Sequence, residues 1–191
     1  MILYLCIIFI CMGIIMLFNG LFNIDAFGGS VWTIVLTVFT AVIIEIIIDL
    51  IVAFIVHSIK DKYFKEDSKF YTISKKERQF YEKIGIKKWK DKILELGSIG
   101  GFSKSKLENA NDIGYINKFL MESYKGIIVH IANIIFGFVL MLIPPFKWSL
   151  CVSLPVAIVN TCLAIPPIMV LRYNIPKLQI VRKRIERTSN N

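Results

Sequence analysis

The chain has 191 residues, a formal net charge of +9 and 55% apolar residues. Because soluble domains contain about 45–50% apolar residues, this composition argues against a water-soluble globule and against a disordered chain. The mean hydropathy of +0.63 favours a membrane protein instead. The four cysteines lie in apolar stretches without metal or redox spacing. We therefore expect no disulfide framework, no metal site and no cofactor.

Four apolar stretches are long enough to cross roughly 30 Å of hydrocarbon as helices of about 20 residues. They lack the alternation of β-strands, so the sequence predicts an all-α membrane protein with a single domain over residues 1–191. The predicted spans are residues 2–18, 31–56, 126–143 and 148–171. No basic region precedes the first stretch and no A-x-A site follows it, so we interpret it as a retained helix rather than a signal peptide.

Positive charge is concentrated in two regions. Residues 57–125 contain 16 of the 23 Lys and Arg, and residues 172–191 contain six. Because basic segments stay on the cytoplasmic side, both regions are predicted to be cytoplasmic. Four spans then place both chain termini in the cytoplasm.

Two apolar stripes within the basic segment 57–125 predict amphipathic helices at the membrane surface. The first consists of Trp89, Ile93 and Leu96, and the second of Ile113, Ile116 and Leu120. Asn111 or Asp112 is expected to cap the second helix, which continues into span three, and residues 97–101 are expected to form a turn. Because the segment carries a net charge of +6, its expected partners are anionic membrane lipids rather than nucleic acid.

Polar residues inside the spans are functional candidates because burying them in lipid is costly. Glu45 and Asp49 lie four residues apart, on one face of span two. A second polar arc lies on span three and its N-terminal extension, formed by Glu122, Gly126, His130, Asn133 and Gly137. A small transporter using Glu45 and Asp49 is one alternative, but it needs a polar path that spans one and four do not offer.

Several short strings over about residues 60–180 resemble, in order and spacing, the glycosyl-4,4′-diaponeurosporenoate acyltransferase family. They are Asp61-Lys62-Tyr63-Phe64, Phe80-Tyr81-Glu82, Gly85 to Asp91, Gly101-Phe102-Ser103-Lys104, Leu107, Phe119, Glu122 to Gly126, His130, Arg172-Tyr173-Asn174 and Leu178. The resemblance implies a small enzyme of the bacterial cell membrane. Such an enzyme moves a fatty acyl group from acyl-CoA or acyl carrier protein to a hydroxyl of a lipid-linked sugar or a similar lipid acceptor.

Acyl transfer to a hydroxyl needs a base and a donor that holds the developing oxyanion. His130, the membrane-embedded imidazole, is the predicted base. Glu122 is predicted to orient the acceptor, or to pair with Lys125 or Arg172. The remaining predicted substrate-binding residues are Lys125, Arg172, Asn174, Trp89, Lys90 and Asp91. His57 is given no special role, and His130, Glu122, Arg172 and Asn174 are expected to meet in one cavity at the cytoplasmic leaflet.

The chain departs from the family pattern at four positions, where polar residues are expected. They are Ile127, Ala164, Leu171 and Ile175. These departures favour a second alternative, a non-enzymatic membrane protein such as an immunity factor or a subunit of a complex. The sequence leaves the oligomeric state open.

Overall fold

The computed structural model describes residues 2–64, 68, 70–93, 109, 111–143 and 145–189. The α-helices in these ranges are α1 (Ile2–Phe22), α2 (Val31–Ser58), α3 (Lys75–Lys83), α4 (Ile86–Trp89), α5 (Ile113–Gly137) and α6 (Leu154–Ser189). The described part of the chain contains no β-strand, so the predicted all-α class is confirmed. Four segments are long and apolar enough to cross a membrane: Tyr4–Phe22, Val31–Ser58, Ile113–Leu142 and Phe146–Thr188.

The third of these segments begins well before the predicted start of span three. The Asp112 carboxylate accepts hydrogen bonds from the backbone N–H groups of Gly114 (2.8 Å) and Tyr115 (3.3 Å). These bonds satisfy two of the N–H groups that have no partner within the helix. As predicted, α5 starts at this cap and runs without a break into the apolar span.

The fourth segment continues beyond residue 171, where the predicted span ends. It opens with a 3₁₀ turn over Phe146–Trp148 and a π-helical turn over Ser149–Ser153, and α6 then extends to Ser189. Pro166, Pro167 and Pro176 all lie inside α6, although each lacks the N–H group of a regular helical bond. Membrane helices tolerate proline because neighbouring groups satisfy the freed carbonyls. Residues 172–189 are therefore a helical extension rather than an irregular tail.

The amphipathic helix predicted from Trp89, Ile93 and Leu96 is wrong within the described residues. Helix α4 ends at Trp89, a 3₁₀ turn covers Lys90–Lys92, and Ile93 is extended (φ −71°, ψ 136°). Trp89 and Ile93 both pack against a buried cluster, so tertiary contact rather than helical period explains their spacing. Leu96, the turn over 97–101, the 101–104 string and Leu107 lie outside the described residues.

Contacts divide the chain into two compact units. The first consists of residues 1–55 and 131–164. Its apolar core includes Met12, Ile34, Val38, Leu140 and Val152. The fully buried Asn19 donates from Nδ2 to the carbonyl oxygens of Ile15 (2.8 Å) and Cys151 (2.9 Å), so its polar group is satisfied without water.

The second unit consists of residues 56–130 and 165–191. Its helix α3 begins at Ser74, whose hydroxyl accepts a hydrogen bond from the Glu77 N–H group (3.1 Å). Gly85 precedes α4 with φ 69°, a conformation that glycine adopts without strain. Tyr81, Ile86, Val170 and Tyr173 form a buried cluster, which brings α3, α4 and α6 together.

Candidate active site

All eight residues predicted to carry catalysis or substrate binding lie in the second unit. Glu122, Lys125 and His130 are on α5, and Arg172 and Asn174 are on α6. Trp89, Lys90 and Asp91 lie at the end of α4 and in the turn that follows. Glu122, Lys125 and Arg172 each form an ion pair with another residue of this unit.

The first ion pair joins Glu122 to His57, a histidine for which the sequence predicted no special role. His57 Nε2 lies 3.5 Å from Glu122 Oε2, and the two side chains are 47% and 23% exposed. His57 is in the last turn of α2. An adjacent carboxylate orients an imidazole and stabilises its protonated form. The geometry therefore creates an imidazole–carboxylate pair at His57 and Glu122.

The second ion pair joins Lys125 to Asp61. Lys125 Nζ lies 2.7 Å from Asp61 Oδ1, and the lysine side chain is only 9% exposed. The ammonium group also lies 5.6 Å from the centre of the buried Phe64 ring. Asp61 and Phe64 belong to the first string of the family resemblance. The contact gives that string a structural purpose, since it fixes the chain after α2 to α5.

The third ion pair joins Arg172 to Glu77. Arg172 Nε donates to Glu77 Oε1 (2.6 Å), and Nη2 donates to Glu77 Oε2 (3.0 Å). The guanidinium also donates to the backbone carbonyl oxygens of Phe70 and Thr72. This two-pronged geometry suits the planar fork of arginine. Each of the three guanidinium nitrogens thus donates a hydrogen bond to residue 70, 72 or 77. These bonds fix the segment 70–77 to α6.

Electrostatics around Glu77 keep its carboxylate charged. The hydrogen bond from Arg172 lowers the pKa of Glu77 below its ordinary value of 4.5. The Tyr81 hydroxyl donates to Glu77 Oε1 at 2.6 Å. Burial, followed by the hydrogen bond to Glu77, raises the pKa of Tyr81 to about 12. Tyr81 therefore remains a neutral donor at physiological pH, and Glu77 remains an anion.

A short connecting segment links the third ion pair to α5. Phe70 accepts from Arg172, and the ring of the adjacent Tyr71 lies 4.3 Å from the ring of Tyr124. The Tyr124 hydroxyl accepts in turn from Gln179 Nε2 on α6 (3.3 Å). Tyr71 and Tyr124 are both buried. This chain of contacts places α5 and α6 in a fixed register within the second unit.

The other predicted site residues do not belong to these three ion pairs. His130 is half-buried on α5, eight residues after Glu122 and so about 12 Å further along the axis. Asn174 is half-buried and forms no side-chain hydrogen bond within the described residues. Trp89 donates from Nε1 to the Ile84 carbonyl oxygen (3.1 Å), and Lys90 pairs with Asp91 (2.8 Å). The predicted role of His130 as a base, and those of Asn174, Trp89, Lys90 and Asp91 in binding substrate, stay predictions.

Glu45 and Asp49, the two acids of span two, lie in the first unit and share a partner, Asn160, that was not predicted from the sequence. Asn160 Nδ2 on α6 donates to Glu45 Oε1 (2.6 Å) and to Asp49 Oδ1 (3.1 Å). Asn160 could have been noticed as a polar residue within span four. No group of three His, Cys, Asp or Glu suited to a metal ion occurs among the described residues.

Over its described residues, the chain is an all-α protein with four segments able to span a membrane, a cluster of ion pairs in one unit and two buried acids in the other. The model of the CrtO family, described as glycosyl-4,4′-diaponeurosporenoate acyltransferase, matches residues 60–184. The match covers most of the chain, which therefore belongs to this family. It begins after α2, so Glu45 and Asp49 lie outside it. No curated protein and no solved structure gave a significant match.

Proposed function

We propose that the chain is a membrane acyltransferase that moves a fatty acyl group to a hydroxyl of a lipid-linked sugar, or of a similar lipid acceptor, at the cytoplasmic leaflet. The observation that carries this proposal is the family match over residues 60–184. The pair formed by His57 and Glu122 supports it, because the pair has the chemistry of a base and Glu122 lies within the matched residues, whereas His57 lies three residues before them.

The proposed reaction begins when an imidazole removes the proton of the acceptor hydroxyl. The acceptor oxygen then attacks the carbonyl carbon of the acyl thioester, and an ester bond forms as the carbon–sulfur bond breaks. The departing thiolate takes the proton back from the imidazolium. When His57 is the base, Glu122 stabilises its imidazolium between these two proton transfers, as carboxylates do in nucleophilic triads.

Two imidazoles are candidates for this base, and they have different support. The sequence predicts His130 as the base, because this residue lies within span three. His57 is supported by its contact with Glu122. Both belong to the second unit. Glu122 pairs with the base if the base is His57, whereas it orients the acceptor hydroxyl if the base is His130.

The cytoplasmic placement of this unit is supported by its charge, which also suits an acidic acyl donor such as acyl-CoA or acyl carrier protein. Lipid extracts from cells that express the chain test the proposal directly. We expect a new alkali-labile lipid whose mass exceeds that of its precursor by one fatty acyl group. Cells that express the Glu122→Gln variant at equal level should lack it. Identical lipid profiles in both strains would contradict acyl transfer.

A further inference from the structure

The cluster of Glu45, Asp49 and Asn160 is a polar site that acyl transfer does not use. Both carboxylates lie on one face of α2 and share the amide group of Asn160, at 2.6 Å and 3.1 Å. Glu45 lies near the middle of this 28-residue helix, far from either end. Two acids at such a depth are costly, which makes a function for them the default expectation.

Glu45 is almost completely enclosed, yet one of its oxygens lacks a partner. The residue is 4% exposed, and its buried Oε2 atom has no hydrogen bond. Gly137 leaves room for the carboxylate, since a Cβ atom there would lie 2.3 Å from Glu45 Oε1. A buried oxygen without a donor is destabilising. The site is therefore shaped around a carboxylate that still lacks one donor.

The two acids also have no cationic partner within the described part of the chain. No described Lys, Arg or His forms an ion pair with Glu45 or Asp49, and the Asn160 amide is neutral. A donor group that carries positive charge would satisfy the unpaired oxygen and balance the carboxylates. Ca²⁺ and Mg²⁺ are a poor match, because they take six or more oxygen ligands, and no third His, Cys, Asp or Glu of the described residues completes a metal site with the two acids.

A cavity of about 100 Å³ adjoins the two acids and is partly open to the outside. Apart from Glu45, Asp49 and Asn160, its walls are side chains without charge, such as Met12, Val42 and Leu163 from three helices. Apolar cavities of roughly 150 Å³ in proteins bind small hydrocarbons. The walls therefore suit a short stretch of alkyl chain, and the polar end suits a cationic donor.

We propose that this cavity binds a cationic amphiphile, with its alkyl chain against the apolar walls and a protonated primary amine at Glu45 and Asp49. The ammonium group supplies the missing donor to the carboxylates and balances their charge. This inference is independent of the proposed acyl transfer. It concerns the first unit, whereas the proposed chemistry belongs to the second.

Photolabelling of the full chain in phosphatidylcholine nanodiscs tests this proposal. The probe is dodecylamine with a diazirine in its alkyl chain, and the matched probes carry a hydroxyl or a carboxylate in place of the amine. We expect the amine probe to label peptides that line the cavity at least tenfold more than either matched probe. Unlabelled dodecylamine should compete, whereas dodecanol should not.

The variant that isolates the acids combines Glu45→Gln with Asp49→Asn, because both amides keep an acceptor for Asn160. We expect labelling of this double variant by the amine probe to be at least tenfold weaker than labelling of the parent chain. The control variant Asp25→Asn, which changes an exposed acid of the same unit, should be labelled as strongly as the parent chain. Equal labelling by all three probes, absence of labelling, or undiminished labelling of the double variant would each overturn the proposal. If the double variant does not fold, the competition experiment in the parent chain tests the proposal instead. Equal competition by dodecylamine and dodecanol would then overturn it.

Discussion

Arg172 and Glu77 are 95 residues apart in the sequence, and their side chains meet through two parallel hydrogen bonds of 2.6 Å and 3.0 Å. Both side chains are largely enclosed, at 17% and 24% exposure. The same guanidinium holds the carbonyl groups of Phe70 and Thr72. The pair therefore connects α3 and its preceding segment to α6, and it makes this part of the second unit sensitive to single substitutions.

Removing the charge of Glu77 should destabilise the protein. We expect Glu77→Gln to lower the free energy of unfolding by about 1–3 kcal/mol, because hydrogen bonds to charged groups contribute that much and Arg172 is left without its anion. The control is Glu82→Gln, which removes an exposed pair with Arg78 and should cost less than about 0.5 kcal/mol. Denaturation in detergent measures both, and equal stabilities of the two variants would contradict this role of the pair.

The same pair should make stability depend on pH in the acidic range. Because the folded-state pKa of Glu77 lies below its ordinary value of 4.5, its contribution is complete above pH 4.5. The contribution should disappear as the pH falls below 4.5 and through the lowered pKa. The melting temperatures of the parent chain and of Glu77→Gln, measured from pH 7 to pH 3, should therefore converge on acidification. A constant difference across this range would show that Glu77 is not an ion-pair partner.

A methyl group at Gly137 should disturb the acid cluster of the first unit. The new Cβ atom would lie 2.3 Å from Glu45 Oε1 and 3.3 Å from Asn160 Nδ2, so the Glu45 carboxylate must move from its hydrogen bond. We expect Gly137→Ala to lose about 1–3 kcal/mol of stability. Gly13→Ala is the matched control, since nothing lies within 4 Å of its Cβ position. Similar melting temperatures for both variants would contradict this packing.

The basic unit should face the cytoplasm, as its charge predicts. In a chain whose native cysteines are replaced, a cysteine at the exposed Ser74 should react with an impermeant maleimide only after cells are opened. A cysteine at the exposed Asp25, in the connection between α1 and α2, should react in intact cells. The reverse pattern would invert the proposed orientation.

The membrane spans were predictable because hydrophobicity is a property of the local sequence. The start of α5 was predictable for the same reason, since Asp112 caps the helix through atoms two and three residues away. The helical spacing of Trp89 and Ile93 wrongly predicted an amphipathic helix. Both residues instead pack against the buried cluster that contains Tyr81 and Tyr173. Periodicity cannot tell a short packed turn from a surface helix.

The partners of the charged residues were not predictable from sequence. Glu122 contacts His57, and Lys125 contacts Asp61, although each pair is separated by more than sixty positions. Nothing in the local pattern distinguishes His57 from His130, or Asp61 from the other acids of the basic segment. The residue types in the site could be proposed from the sequence, whereas the pairs depend on how α2, α5 and α6 are held within the unit.

The imidazole–carboxylate pair is the part of the proposed mechanism that the contacts support most directly, and three variants address it. Glu122→Gln keeps the size of the side chain but removes the charge that stabilises the imidazolium. His57→Gln and His130→Gln each remove one candidate base. Glu82→Gln serves as the control, because it removes an exposed carboxylate of the same unit whose partner is Arg78.

The decisive measurement is the rate at which radioactive palmitoyl-CoA, added to membranes containing each variant at equal level, yields labelled lipid ester. We expect the rates of Glu122→Gln and of at least one histidine variant to be lower than the parent rate by roughly 10²–10⁴-fold, as for loss of a general base. Glu82→Gln should retain the parent rate. Loss in His57→Gln would identify the histidine that contacts Glu122 as the base, and loss in His130→Gln would identify the membrane-embedded one. Parent-like rates in Glu122→Gln and both histidine variants would contradict catalysis by this site.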